Sequence, residues 1–266
     1  MNLEEARWDQ VPIRSNPLKS ALASGRTLVG TRLCLLRYPA ALVLLKRIGL
    51  DFVLLDMRQP PVSTEAMAAM AVVARAIELP LIVELPIANR EWIMRSLDAG
   101  VWGVHAMGIR SCEEAHAVVD AARHAPVGNR GTFEPGPQND YVEPPEPGEL
   151  AHLNAQVHVS VGLARAASER DFDQIVALDG IDAFALDAGA RSSGTVPDRL
   201  AAAARCGRHT MTDAASFDAL EALVRSGVSM IAYRSDTAIL RDGFAANVAW
   251  CREVASRTAT AKSGRA

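Results

Sequence analysis

The chain has 266 residues, 49% of them hydrophobic, with a formal net charge of -3 and a sequence pI of about 6.1. That length can bury one large core without disulfides or a structural metal, and the apolar content excludes a disordered chain. Charges of both signs are mixed along the chain, which argues against a nucleic-acid footprint or an anionic-membrane surface. No segment offers the roughly 20 uninterrupted apolar residues of a membrane span.

Residues 1–15 read as an N-terminal extension. They carry Glu4, Glu5, Arg7, Asp9 and Arg14 with no apolar run, unlike a secretory signal. Cys34, Cys112, Cys206 and Cys251 show no C-x-x-C spacing, so free thiols in a cytoplasmic protein are expected. From there short apolar runs alternate with helical patterns, the mark of parallel βαβ units. The expected strands are Leu28–Leu35, Asp51–Met57, Leu81–Pro86, Gly103–Met107, His158–Ala164, Ala183–Asp187, His209–Thr212 and Met230–Tyr233. Several are nearly continuous apolar runs, as strands covered on both faces require.

Helical patterns lie between them. Tyr38–Gly49 ends on a glycine suited to a helix C-terminus, and Ser63–Ile77 starts on a capping Ser or Thr. Arg90–Ala99 ends before Gly100, and Ser111–Arg123 opens with the S-x-x-E capping pattern. Phe172–Leu178 and Ser216–Ser226 are again followed by glycines. About eight such units in about 250 residues favour a closed (β/α)8 TIM barrel over a doubly wound sheet. The barrel is expected to span residues 16–255. Residues 132–150, rich in proline, are expected to form a long surface loop, and 256–266 a frayed tail.

Several segments resemble the HpcH/HpaI family of 2-oxo-acid aldolases, related to citrate lyase. They are N-P-L-K-S-A-L-A-S-G (Asn16–Gly25), G-L-D-F-V-L-L-D (Gly49–Asp56), L-D-A-G (Leu97–Gly100) and E-E-A (Glu113–Ala115). P-V-G-N-R-G (Pro126–Gly131), the Asn154 region, Q-I-V-A-L-D-G-I-D-A (Gln174–Ala183) and D-T-A-I-L (Asp236–Leu240) continue the match in order. The resemblance implies a barrel of the phosphoenolpyruvate/pyruvate-domain type, metal-dependent carbon–carbon lyase chemistry and trimer-based homo-oligomers.

The chemistry that the resemblance implies finds different residues here. The family's acid–base histidine corresponds to Gln59, whose amide cannot exchange protons near neutral pH. The arginine that binds the substrate carboxylate corresponds to Glu84, and the acid partnering the histidine to Asn89. The two acidic metal ligands fall on Ala164 and Ala190, which have no oxygen donor on their side chains. No metal and no other cofactor is therefore expected, although a rescue of the metal site by Asp187 and Glu84 is conceivable.

The strand ends still gather charge. Arg58 or Arg165 would supply a carboxylate clamp and Glu84 or Asp187 a base, and Arg58, Glu84 and Asp187 are the catalytic candidates. Arg165, Arg191 and Gln59 are the substrate-binding candidates. The competing expectation is a solvated rim of local ion pairs. His105 and His158, on or beside strands, are expected as satisfied core histidines, and Arg130 as a residue tying down a loop. Two functions stay open. One is a lyase acting, without metal, on a small carboxylate resembling a 2-oxo acid. The other is a non-catalytic subunit that binds a metabolite or assembles with an active paralogue.

Overall fold

The computed structural model describes residues 13–59, 62–132, 134–142, 147–164, 169–186 and 196–263. Eight strands form a closed, all-parallel barrel in chain order. They are β1 (Leu28–Leu33), β2 (Phe52–Asp56), β3 (Leu81–Glu84), β4 (Gly103–Ile109), β5 (His158–Leu163), β6 (Ala183–Leu186), β7 (His209–Ala214) and β8 (Met230–Ser235). Around and below it lie α1 (Pro17–Ala23), α2 (Ala40–Arg47), α3 (Thr64–Ala76), α4 (Arg90–Asp98), α5 (Cys112–Ala122) and α6 (Pro147–Gln156). The ring continues with α7 (Glu169–Ala177), α8 (Val196–Arg205), α9 (Phe217–Arg225) and α10 (Asp236–Ser263).

Strand periodicity sorts the side chains into two cores. Leu28, Phe52, Leu54, Ile82, Met211 and Met230 fill the barrel interior. Leu33, Val53, Leu55, Val83, Val161 and Ile231 face outward beneath the helices. The same parity aims Arg32, Asp56, Glu84, His105 and Asp213 inward. Asp56, Glu84, His105 and Ser160 stand side by side on β2 to β5 as one register row.

Four helices have no counterpart in the sequence reading: α1, α6, α8 and α10. The proline-rich stretch expected as loop throughout 132–150 becomes helix at Pro147, where proline occupies the first helical position and loses no hydrogen bond. Upstream, Pro137–Asn139 makes one 3-10 turn, tucked against Gly100. Gly100 has φ of 89° and Pro137 stands where its Cβ would be, so glycine is required there. This turn lies below the barrel, away from the mouth, held by Asp140 to Arg14 and to Arg75 at 2.8 Å. The stretch expected as a frayed tail continues α10 through Ser263. Among the described residues no helix is long and apolar enough to cross a membrane.

Residues of the shared motifs, together with Arg123, build the floor of the barrel. Asn16 caps α1 through Leu18 N (3.0 Å) and donates to the Trp102 carbonyl (3.0 Å). Arg123 donates to the carbonyls of Asn154, Val157 and Gly180 and pairs with Asp182 at 2.8 Å, while Lys19 contacts the other Asp182 oxygen. His158 on one side and these cations on the other hold the Asp182 carboxyl down at about 2 against its burial. Arg130 is buried and pairs with Asp98 at 2.7 Å.

Candidate active site

The C-terminal ends of β1, β2, β3, β4, β7 and β8 open on a cavity of about 360 Å³. Its walls carry Arg32 and Cys34, Asp56 with Arg58 and Gln59, Glu84, Met107, Asp213 and Arg234. Strand ends supply these groups because the barrel interior below is filled, so only the top inward position of each strand reaches solvent.

Glu84 is the centre of the polar network and is fully buried. Arg58 Nε lies 2.9 Å from one of its oxygens, and an Arg32 guanidinium nitrogen contacts the other. These contacts are ion pairs by distance without hydrogen-bond alignment. The second terminal nitrogen of Arg32 reaches Asp213 at 3.0 Å. The result is an alternating chain, Arg58–Glu84–Arg32–Asp213. Both guanidiniums keep a partly exposed edge toward the cavity, so each retains donors for a ligand.

Other groups at the mouth organise backbone. Asp56 Oδ1 accepts from Arg58 N at 2.8 Å, which sets the turn that carries Arg58 and Gln59. Asp236, buried at the β8–α10 junction, accepts from the backbone of Cys34 (2.9 Å), Leu35 (2.9 Å) and Leu36 (2.6 Å). Burial, with Asp56 and Asp236 nearby, pushes the Cys34 thiol up to about 11, so it stays protonated and is a poor nucleophile. Below Glu84, His105 Nδ1 lies 2.9 Å from Ser160 Oγ, which donates to the Val104 carbonyl. Burial, reinforced by Arg32, lowers His105 to about 3, so the ring is neutral at physiological pH.

Of the six site residues expected from sequence, Arg58, Gln59 and Glu84 meet at this cavity. Arg165, Asp187 and Arg191 lie outside the described residues, as does Ala190. Arg32 was missed, although an arginine inside the apolar run L-V-G-T-R-L had to be paired or at the mouth. Asn89 caps α4, accepting from Trp92 N at 3.0 Å. Ala164, just past β5, contributes a backbone bond to Ile109.

The described residues do not fit a divalent cation. No group of three His, Cys, Asp or Glu side chains gathers among them. The carboxylates at the mouth are bracketed by guanidiniums or occupied by backbone donors, whereas Mg²⁺ or Mn²⁺ needs free oxygens.

No family model matches the chain. It is 30% identical over 175 residues to the hydroxypyruvate/pyruvate aldolase of Roseovarius nubinhibens, covering 65% of this chain and 66% of that one. It is 29% identical over 226 residues to the 4-hydroxy-2-oxovalerate aldolase of Novosphingobium aromaticivorans, covering 84% and 78% of the two chains. Its barrel superposes on the HpcH/HpaI aldolase of Desulfitobacterium hafniense with a TM-score of 0.81 at 23% identity, covering 89% and 96%. The chain is a relative of the HpcH/HpaI aldolases. As in any aldolase relative of this barrel type, the strand ends carry the residues available for chemistry. Here those residues are arginines locked to acids.

Proposed function

We propose that this aldolase relative binds a small carboxylate of the 2-oxo-acid class at the barrel mouth and acts on it without the divalent metal. The Arg58–Glu84–Arg32 arrangement carries the reading. A buried carboxylate holds two guanidiniums rigid, each with donors left over for an anionic ligand. Arg58 and Arg32 clamp the substrate carboxylate, and the Gln59 amide donates to the adjacent carbonyl. In cleavage of a 4-hydroxy-2-oxo acid, a base takes the hydroxyl proton and the carbon–carbon bond breaks. The electron pair moves into an enolate whose oxygen the guanidiniums stabilise, and a proton then returns to carbon. Glu84 has both oxygens engaged by arginine, which suits positioning better than proton transfer. Asp187, outside the described residues, remains the candidate base.

Calorimetric titration with pyruvate tests this. Binding should be unchanged by EDTA or Mn²⁺, and Mn²⁺ alone should show no saturable site. Aldol cleavage that requires Mn²⁺ and turns over near 1 s⁻¹, roughly the ordinary enzyme range, would defeat the metal-free reading.

The same ion pairs favour a second reading, a non-catalytic metabolite-binding subunit, because charges paired among themselves need no substrate. The two part in a single experiment: pyruvate binding without any exchange of its methyl protons into deuterated water supports the non-catalytic reading.

A further inference from the structure

Below the barrel two cavities of about 30 and 20 Å³ adjoin, sharing His124, Arg130, Gln138 and Leu153 in their walls. Arg75 of α3, Trp102 at the foot of β4 and Gln156 of α6 also line the larger one. Trp102 and Arg130 are only 2% and 6% exposed, yet the indole Nε1 and the guanidinium Nε have no hydrogen-bond partner. Tying down the loop uses a single nitrogen of Arg130, Nη2 to Asp98 at 2.7 Å, and leaves Nε over. Buried donors are nearly always satisfied, so two orphans on the wall of one cavity call for an acceptor there.

Charge says what kind of acceptor. Among the described residues no carboxylate lines either cavity. The ion pairs around them set three guanidiniums, Arg14, Arg75 and Arg130, against two carboxylates, Asp140 and Asp98, an excess of one positive charge. Arg75 also lies over the Trp102 ring, 4.2 Å from its centroid, which draws the indole toward the cationic side of the site. Burial lowers the Arg130 pKa below its ordinary value even with Asp98 alongside, so a further counter-charge would stabilise that cation. A water molecule would need acceptors for its own two protons, whereas both orphaned groups here donate.

We propose that this floor cavity binds a monatomic halide, chloride, held by Trp102 Nε1 and Arg130 Nε. The larger cavity has room for about two water-sized bodies, enough for a halide and too little for sulfate or phosphate. The ion joins α3, the foot of β4, the turn at Arg130 and α6, so the stability of the floor follows chloride concentration. This site lies at the opposite end of the barrel from the mouth and is independent of what the mouth binds.

Thermal unfolding of the full chain in sodium chloride against sodium gluconate, at equal ionic strength, tests it. Chloride should raise the midpoint saturably by about 2–4 °C. W102F keeps a ring over Arg75 and removes the indole donor, so chloride should act about tenfold more weakly. R58Q, at the mouth, should leave the chloride dependence unchanged. Crystals soaked in bromide should show an anomalous peak within about 3.5 Å of Trp102 Nε1 and Arg130 Nε. Equal midpoints in the two salts would overturn the proposal, as would a chloride effect that survives W102F or vanishes in R58Q. So would bromide at other sites only, with water alone in this cavity. Should W102F not fold, the parent chain's salt response and the bromide position decide.

Discussion

The two ends of the barrel use the same chemistry for opposite ends. At the floor, Asp182 meets Arg123 and Lys19, and Arg123 spends its remaining donors on three backbone carbonyls. At the mouth, Glu84 meets Arg32 and Arg58, but those guanidiniums turn their other edges to a 360 Å³ cavity. A buried ion pair whose donors are all consumed fixes architecture. One whose donors are left over is a preorganised binding surface.

The sharpest way to break that contrast is at the floor. Arg123→Ala leaves Asp182 with Lys19 as its one cation and takes a donor from three carbonyls, and losing one partner of a buried pair typically costs about 3–5 kcal/mol. Urea denaturation should show a loss in that range, and a change under about 1 kcal/mol would mean the floor pair is no more structural than a surface one.

Acid separates the two ends less violently. His158 at the floor and His105 near the mouth are both held near 3 by burial, against an ordinary imidazole value of 6.5. Between those values the unfolded chain takes up a proton at each ring that the folded chain refuses. Stability is therefore complete above about pH 6.5 and falls as pH drops toward 3, at up to about 1.4 kcal/mol per pH unit per ring. Asp182 adds a later loss as pH falls from 3.8 through about 2. The urea midpoint should decline from pH 6.5 downward, more gently in His158→Leu; a midpoint flat from pH 7 to 4 would contradict the burial of both rings.

At the mouth, Glu84→Gln keeps the shape and removes the charge that Arg32 and Arg58 share. Those side chains are partly exposed, so water relieves them, and the stability cost should be about 1–2 kcal/mol. With Arg58 freed and Arg32 held by Asp213 alone, the mouth should then hold pyruvate about tenfold more tightly, equivalent to about 1.4 kcal/mol. Unchanged or weaker binding by calorimetry would show that Glu84 orients the clamp more than it competes with the ligand.

Much of the barrel was legible because alternating apolar runs and glycine-ended helices obey strict periods. The parts that were not legible have physical causes. Helix α6 hid behind proline density, since only its first position tolerates Pro147. Residues 241–257 of helix α10 are exposed among the described residues, and the small, polar Ser256–Ser263 gave no core period to read. At the site, Arg58 and Glu84 were visible as charges at strand ends. Arg32 required knowing that its parity matches Leu28 and faces inward, which becomes evident only when β1 is paired with β2 and β8. Of the motifs that carried the family resemblance, Asn16, Arg130 and Gly180 belong to the floor, whereas Asp56 and Asp236 reach the mouth only to organise backbone, which is why ancestry was easier to read than chemistry.

Asn89 gives the smallest effect and the finest test of that division. The resemblance equates its position with the acid that partners the family's histidine, yet here its Oδ1 accepts from Trp92 N and starts α4. A capping asparagine lost to alanine costs about 1 kcal/mol. Asn89→Ala should therefore lower the urea midpoint by a corresponding amount and leave pyruvate affinity untouched. Asn89→Asp should restore stability, because a carboxylate caps as well and favours the helix N-terminus. With glutamine at 59 there is no imidazole for that acid to orient, so neither substitution should alter turnover or its pH profile. A change in pH profile with Asn89→Asp alone would place residue 89 in the proton chemistry and move it from scaffold to site.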